Sequence, residues 1–294
     1  MNPDYVIVTD SGCDLSDEML AALGIPAVPL NVFMKDSPAQ PCTLHGVAFY
    51  AALQRGQTAC TSAANLSAFR EAFVPILAAG KDVLYIAFSS ALSSMFATAQ
   101  LAASELAAEY PDRKIIVIDS LSASLGQGLL VYHAAEQRER GMTLTELAAF
   151  VTAERQRIAH WFTVDDLMFL RRGGRVSGIS AVAGTLLGIK PVMRCSSEGK
   201  LTVFSKARGR RAALLALASH FESECSNRSS TVFIGHADAQ SDAEYLRDVL
   251  QKAAPDAQIV IGEIGAVIGA HAGPGTVALF YPAASREVVS AIHS

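Results

Sequence analysis

One uninterrupted stretch, Asp82 to Gln100, constrains this chain more than any other: DVLYIAF, then SSALSSM, then FATAQ. Six apolar residues from Val83 to Phe88 spell a strand buried on both faces, the kind found in parallel sheets covered by helices. Ser89, Ser90, Ser93 and Ser94 follow around Leu92, and an Ala-rich segment from Thr98 to Glu109 favours helix. Strand, hydroxyl-rich loop and helix start together make an α/β unit. The loop has two readings. Helix N–H groups and the helix dipole make it an anion site, or the serines cap the helix, a task that needs only one of them.

The surrounding chain repeats the pattern. Tyr5 to Thr9 reads as a buried strand ending in Asp10-Ser11, and Ser16-Asp17-Glu18 starts a helix that Gly24 and Pro26 stop. Val28 to Phe33 reads as the second strand, Leu44 to Gln54 as a helix, and Thr58 to Asn65 as a small polar connection leading to a helix over Phe69 to Leu77. Lys114 to Ile118 is a further strand, again followed by an acid and a serine, Asp119-Ser120. Ser11, Ser89/Ser90 and Ser120 thus mark three strand ends, which in a parallel sheet lie along the ligand-binding edge. Helices are expected over Leu125 to Arg140 and Thr145 to Ile158.

Near Ile158 the style changes. Asp165-Asp166 opens a short helix closing on Arg171-Arg172, as the dipole prefers, whereas Arg175 follows two glycines and needs a partner or solvent. Val176 to Ile189 is apolar, fit for a tunnel wall or for an ordinary core helix. Ile189 to Arg194 and Leu201 to Ser205 form a hairpin. Lys206, Arg208, Arg210 and Arg211 crowd the start of a helix over Ala207 to Phe221, as a solvated face or for an anionic partner. Strands over Thr231 to Ile234 and Ile259 to Ile261 flank a helix over Ser241 to Lys252, and a Gly-rich loop carrying His271 precedes a last strand, Thr276 to Phe280. The expected fold is an α/β domain with a mainly parallel sheet over residues 1–158, plus an α+β domain with a mixed sheet over 159–294.

Composition excludes several classes. The 294 residues are 51% apolar with a net charge of −4, enough for two cores and without the basic excess of a nucleic-acid binder. Five scattered cysteines and seven isolated histidines show neither a disulfide framework nor metal-ligand spacing. The N-terminus lacks the plan of a signal peptide, and the longest apolar run, Ile179 to Ile189, is too short for a span, so a soluble cytoplasmic protein is expected. No Walker A, dinucleotide-binding or nucleophile-elbow motif occurs. Ser93, His271 and Asp119 are still able to meet in space as a hydrolase or acyltransferase triad.

Taken in order, the motifs resemble those of the DegV family of fatty-acid-binding proteins. IVTDSGCDL (Ile7 to Leu15) is similar to that family's TDS-x-x-DL opening, Thr61-Ser62 to its TSQPS-like motif, FSSALSSMF to SSGLSGTY, and IDSLSASLGQG to a Ser- and Gly-rich signature. FLRRGGRVS, LLGIKPVM, the Lys206 to Arg211 run and GAHAGPG follow in the expected order. The chain departs from the pattern in TSAAN and in Ala91, Ser94, Met95 and Phe96. The resemblance implies a bacterial carrier that holds one long-chain fatty acid between two domains and needs no cofactor or metal. It would present the acid to a separate fatty acid kinase, which makes an acyl phosphate for phospholipid metabolism, with only transient membrane contact. Thr61, Ser62, Ser93, Ser94 and His271 would hold the carboxylate; Arg175 and Arg208 would lie near the head group or face the kinase.

Overall fold

A computed structural model of the chain describes residues 4–177 and 188–287. The first half runs β1 (Tyr5–Asp10), α1 (Asp17–Leu23), β2 (Ala27–Val28), β3 (Asn31–Met34), α2 (Gly46–Gln54), β4 (Ala59–Ser62), α3 (Leu66–Ala78), β5 (Asp82–Ala87), α4 (Met95–Glu109), β6 (Ile115–Asp119), α5 (Leu125–Glu139) and α6 (Leu144–Glu154). Strands β2, β1, β5 and β6 lie in that order and all pair parallel. The apolar run of β5 is fully buried from Val83 to Ala87.

Two local expectations fail. Val28 to Phe33 is not one strand: it breaks at Pro29-Leu30 into β2, parallel to β1, and β3, which leaves the sheet. Proline has no N–H for a central ladder, so the break falls where the backbone loses a donor. The polar Thr58 to Asn65 connection contains β4, which pairs antiparallel with β3, setting Val32 opposite Thr61. The composition of that segment concealed a strand because only its partner, not its own periodicity, stabilises it.

The second half runs β7 (Ile158–Thr163), α7 (Leu167–Gly173), β8 (Val176–Ser177), β9 (Ile189–Cys195), β10 (Leu201–Arg208), α8 (Arg210–Glu224), β11 (Thr231–His236), α9 (Gln240–Ala253), β12 (Gln258–Glu263), α10 (Ala266–Ala272) and β13 (Val277–Pro282). Its strands form one mixed sheet in the order β12-β11-β13-β7-β9-β10-β8. The expected two-domain α/β plus α+β fold is therefore present. The predicted Gly-rich loop around His271 is largely the helix α10, in which Val267, Ala270 and Ala272 are buried. Most of the Val176 to Ile189 stretch lies outside the described residues.

Helices α8 and α9 cover one face of the mixed sheet, packing Leu214, Leu217 and Leu246 against Trp161, Val232 and Leu279. The other face meets α5, whose Leu125 and Leu129 share a core with Phe162, Phe233 and Phe280 and also with Ile7, Leu84 and Ile86 of the parallel sheet. Helix α5 thus lies between the two sheets, and its first seven residues are all buried. Gly126 permits that position: a Cβ there would fall 2.1 Å from His160 Nε2.

Polar ties cross the same region. Asp10, buried at the end of β1, accepts from Tyr85 Oη (2.7 Å), Phe88 N (2.8 Å), Gly12 N (3.0 Å) and Gln127 Nε2 (3.2 Å). Arg286 is 4% exposed and donates to Ser122 Oγ (2.9 Å) and to the carbonyls of Ile158 (3.0 Å), Leu121, Ser196 and Arg155.

Candidate ligand-binding site

Between the sheets lies a cavity with about 930 Å³ of space between atoms, its mouth included. The lining is mainly apolar, with Leu30, Phe88, Leu92, Phe162, Val267 and Phe280 among its walls. Thr61, Ser93, Ser94, Arg175 and His271 put polar side chains on this lining, as do Ser124, His160 and Thr276. Strand alternation explains Thr61: it and Ala63 face the cavity, whereas Ser62 points the other way and is exposed. Helical spacing explains His271, since Val267, Ile268, His271 and Ala272 occupy one face of α10. Ser93 and Ser94 stand at the start of α4.

Thr61 Oγ1 and His271 Nε2 are 2.8 Å apart. Burial, aided by the Arg175 charge, lowers the His271 pKa to about 4, so the imidazole is neutral near pH 7. When its Nε2–H donates to Thr61, the threonine O–H is left to donate to an anion in the cavity. Arg175 donates from Nε to the Leu92 carbonyl (3.4 Å) and from Nη1 to the Gly173 carbonyl, which draws its charge back to the serine loop. Thr61, Arg175 and His271 also line an outer cavity with Lys35, Thr58 and Arg172. Among the described residues no carboxylate lines that outer space. Thr61, Arg175 and His271 thus border both cavities, and Lys35 and Arg172 add two further cations to the second.

The other sequence candidates lie elsewhere. Ser62 faces out, and Arg208 is exposed at the end of β10, outside both cavities. Of the basic run, Arg210 pairs with Asp242 (2.8 Å) and Asp165 (3.6 Å), and Arg211 lies 3.7 Å above the Tyr245 ring, so half of that charge is answered within the domain. The serines at the strand ends do not bind a common ligand. Ser11 Oγ accepts from Leu30 N, Ser89 Oγ donates to the Gly199 carbonyl and Ser120 Oγ to the Ser122 carbonyl. They hold loops in place. None of the four loop serines makes a close side-chain cap on α4; Met95 N to Ser93 Oγ is a loose 3.4 Å.

A triad is not assembled. His271 Nδ1 is buried with no partner among the described residues, and its ring meets Thr61 rather than an acid. Asp119 Oδ1 accepts the N–H groups of Ser90 (3.1 Å) and Leu121 (3.0 Å). No group of His, Cys, Asp or Glu suited to a metal occurs among the described residues.

Sequence reasoning missed the support behind the site. Asp14, with φ of 53°, accepts from Gly265 N (3.0 Å) at the start of α10 and from Ser124 Oγ (2.5 Å), a cavity-lining residue itself at φ 55°. Burial pushes the Asp14 carboxyl up to about 7, against the pull of those two donors. In the sequence Asp14 is the second acid of IVTDSGCDL, a motif that does not say which element the carboxylate meets.

The cavity is mainly apolar, and hydroxyls, imidazoles and a guanidinium stand among its lining residues. The family model described as "Uncharacterised protein, DegV family" matches residues 4–284, and the chain belongs to the DegV family. It is 39% identical over 289 residues to a DegV domain-containing protein of Clostridium perfringens, covering 96% of this chain and 99% of the relative. Among solved structures it is similar to a DegV family protein of Thermus thermophilus described for its fatty acid binding. The TM-score is 0.85 at 30% identity, covering 95% of this chain and 99% of that one. A DegV lipid-binding protein of Thermotoga maritima superposes with a TM-score of 0.82 at 26% identity, covering 96% and 99%.

Proposed function

We propose that the chain binds one long-chain fatty acid, its tail in the apolar cavity and its carboxylate among Thr61, Ser93, Ser94 and His271. Residues 1–158 and 159–294 would be the two domains that enclose it. The observation that carries this reading is the Thr61–His271 pair on the lining of a mainly apolar cavity. Each buried methylene gains roughly 0.8 kcal/mol, so a tail of about fifteen gains on the order of 10 kcal/mol before immobilisation is charged against it. A carboxylate leaving water needs several hydrogen bonds or a counter-charge. The threonine O–H, the two serines and Arg175 supply both kinds. His271, whose ring meets Thr61 and has no carboxylate behind it among the described residues, lacks the orienting acid of a triad base.

Calorimetric titration of the delipidated protein with stearic acid tests this. Thr61→Val keeps shape and removes the donor, and a roughly tenfold weaker affinity with an unchanged melting curve is expected. Equal affinity would remove Thr61 from the head-group site.

The second cavity, lined by Lys35, Arg172 and Arg175, offers cations to an anionic group beside the proposed carboxylate site, and a fatty acid kinase making an acyl phosphate is the partner proposed. Arg208, exposed outside both cavities, would contact that kinase. Arg208→Ala is expected to bind stearic acid as the parent does while slowing acyl-phosphate formation by the cognate kinase. An unchanged phosphorylation rate would remove Arg208 from the docking surface.

A further inference from the structure

The outer cavity differs in kind from the apolar one. It holds about 620 Å³ of space between atoms, its opening to solvent included. Three cations line it, Lys35, Arg172 and Arg175, in a chain whose net charge is −4. All three residues are exposed, and none is within ion-pair distance of a carboxylate among the described residues. Asp36 follows Lys35 in the chain but does not line the cavity. The Lys35 backbone is fixed where β3 ends, its N–H donating to the Thr58 carbonyl (2.8 Å). Arg172 donates from Nε to the Met168 carbonyl (3.2 Å), and its guanidinium lies 4.6 Å from the centre of the Phe169 ring. Arg175 engages the Leu92 and Gly173 carbonyls through Nε and Nη1. The Lys35 ammonium, both terminal nitrogens of Arg172 and Nη2 of Arg175 are left without a hydrogen-bond partner among the described residues. Apart from Phe169, which Arg172 covers, and two alanines, no hydrocarbon side chain borders the space among those residues, so it offers little wall to an alkyl tail.

Like charges gathered in one cleft without an acid repel one another and draw an anion from solvent. Two guanidinium groups and an ammonium suit a doubly charged oxyanion with several oxygens better than a single carboxylate. We propose that the outer cavity is a binding site for a phosphate group, of inorganic phosphate or of a phosphate monoester, and that its occupant weakens the hold on the fatty acid. The second part follows from Arg175, which lines both cavities and whose charge reaches His271. A phosphate there shares that counter-charge with the carboxylate and repels it. By linkage, a loaded fatty acid weakens phosphate binding by the same factor. The anion site stands apart from the fatty-acid reading; the antagonism rests on it.

The test titrates delipidated protein calorimetrically with sodium phosphate and with methyl phosphate at about pH 8, where both are doubly charged, with ionic strength held constant by sodium chloride. Saturable binding in the millimolar range is expected for at least one of them. Methyl phosphate bound as tightly as inorganic phosphate assigns the site to an ester, and its exclusion assigns the site to the free ion. Lys35→Gln and Arg172→Gln should each weaken the bound phosphate about fivefold, while stearic acid affinity in phosphate-free buffer changes by less than about twofold. In the parent, saturating phosphate should weaken stearic acid about threefold or more, and the double variant should lose that effect. Absence of saturable binding for both phosphates, or unchanged phosphate affinity in the double variant, would overturn the site and leave the fatty-acid reading standing. Phosphate binding with stearic acid affinity unchanged would overturn the antagonism. Saturable phosphate binding by a protein that takes up no stearic acid would overturn the fatty-acid reading, and the antagonism with it.

Discussion

Asp14 shows how one residue couples the site to pH. Its native carboxyl titrates near 7, against about 3.9 in an unfolded chain. Between those values the unfolded state releases a proton that the native state keeps. Stability therefore falls as pH rises from about 4 to about 7 and loses nothing more beyond that. His271 acts with the opposite sign: with a native value near 4 and an unfolded one near 6.5, it adds stability over that rise. Asp14→Asn isolates the first contribution, since the amide oxygen still accepts from Gly265 N and its NH₂ can donate to Ser124 Oγ. The melting temperature of the variant minus that of the parent should grow from pH 4 to pH 7 and then level, a span worth on the order of a few kcal/mol. A constant difference would mean that Asp14 is ionised throughout. Single residues were legible in the sequence where a motif isolates them, as with Thr61, Ser93 and His271. Asp14 also stands in a motif, but its tie to the start of α10 was not legible, because it depends on which helix lies opposite.

At the scale of elements, the head-group end is a contact between α7, α10 and the β3–β4 ribbon. Gly173 ends α7 against His271, where a Cβ would lie 2.3 Å from Nδ1. Gly173→Ala must displace the imidazole or the helix end. Overpacking of this kind costs about 1–3 kcal/mol, which lowers the melting temperature by several degrees in a chain of this size. Affinity for stearic acid should fall at least as much as for Thr61→Val, because the ring that orients the threonine moves. Full affinity in a folded Gly173→Ala protein, measured by the same titration, would show that His271 does not position the head group. The elements themselves were readable where pattern and caps agree: β5 and its helix, α1 with its Ser16 cap, and the β9–β10 hairpin. They were misread where tertiary partners decide, as in β4, in the split at Pro29, and in α10, whose glycines suggested a loop.

At the scale of the whole molecule, α5 and Arg286 make the two sheets one body around the cavity. The buried guanidinium is answered by carbonyls from both halves rather than by an acid, so it joins the domains by geometry and not by a charge pair. The sequence reads as two domains, with a change from alternating strands and helices to a hairpin and mixed order near Ile158. The cavity was not, because no single segment contains it: its wall draws residues from Leu30 to Phe280. What the whole fold is for is tested most directly by native mass spectrometry of the protein as purified from its own cells, followed by solvent extraction. One long-chain fatty acid per chain, retained in the gas phase and recovered in the extract, is the predicted result. A bare-chain mass, together with delipidated protein that takes up no long-chain acid, would contradict the account.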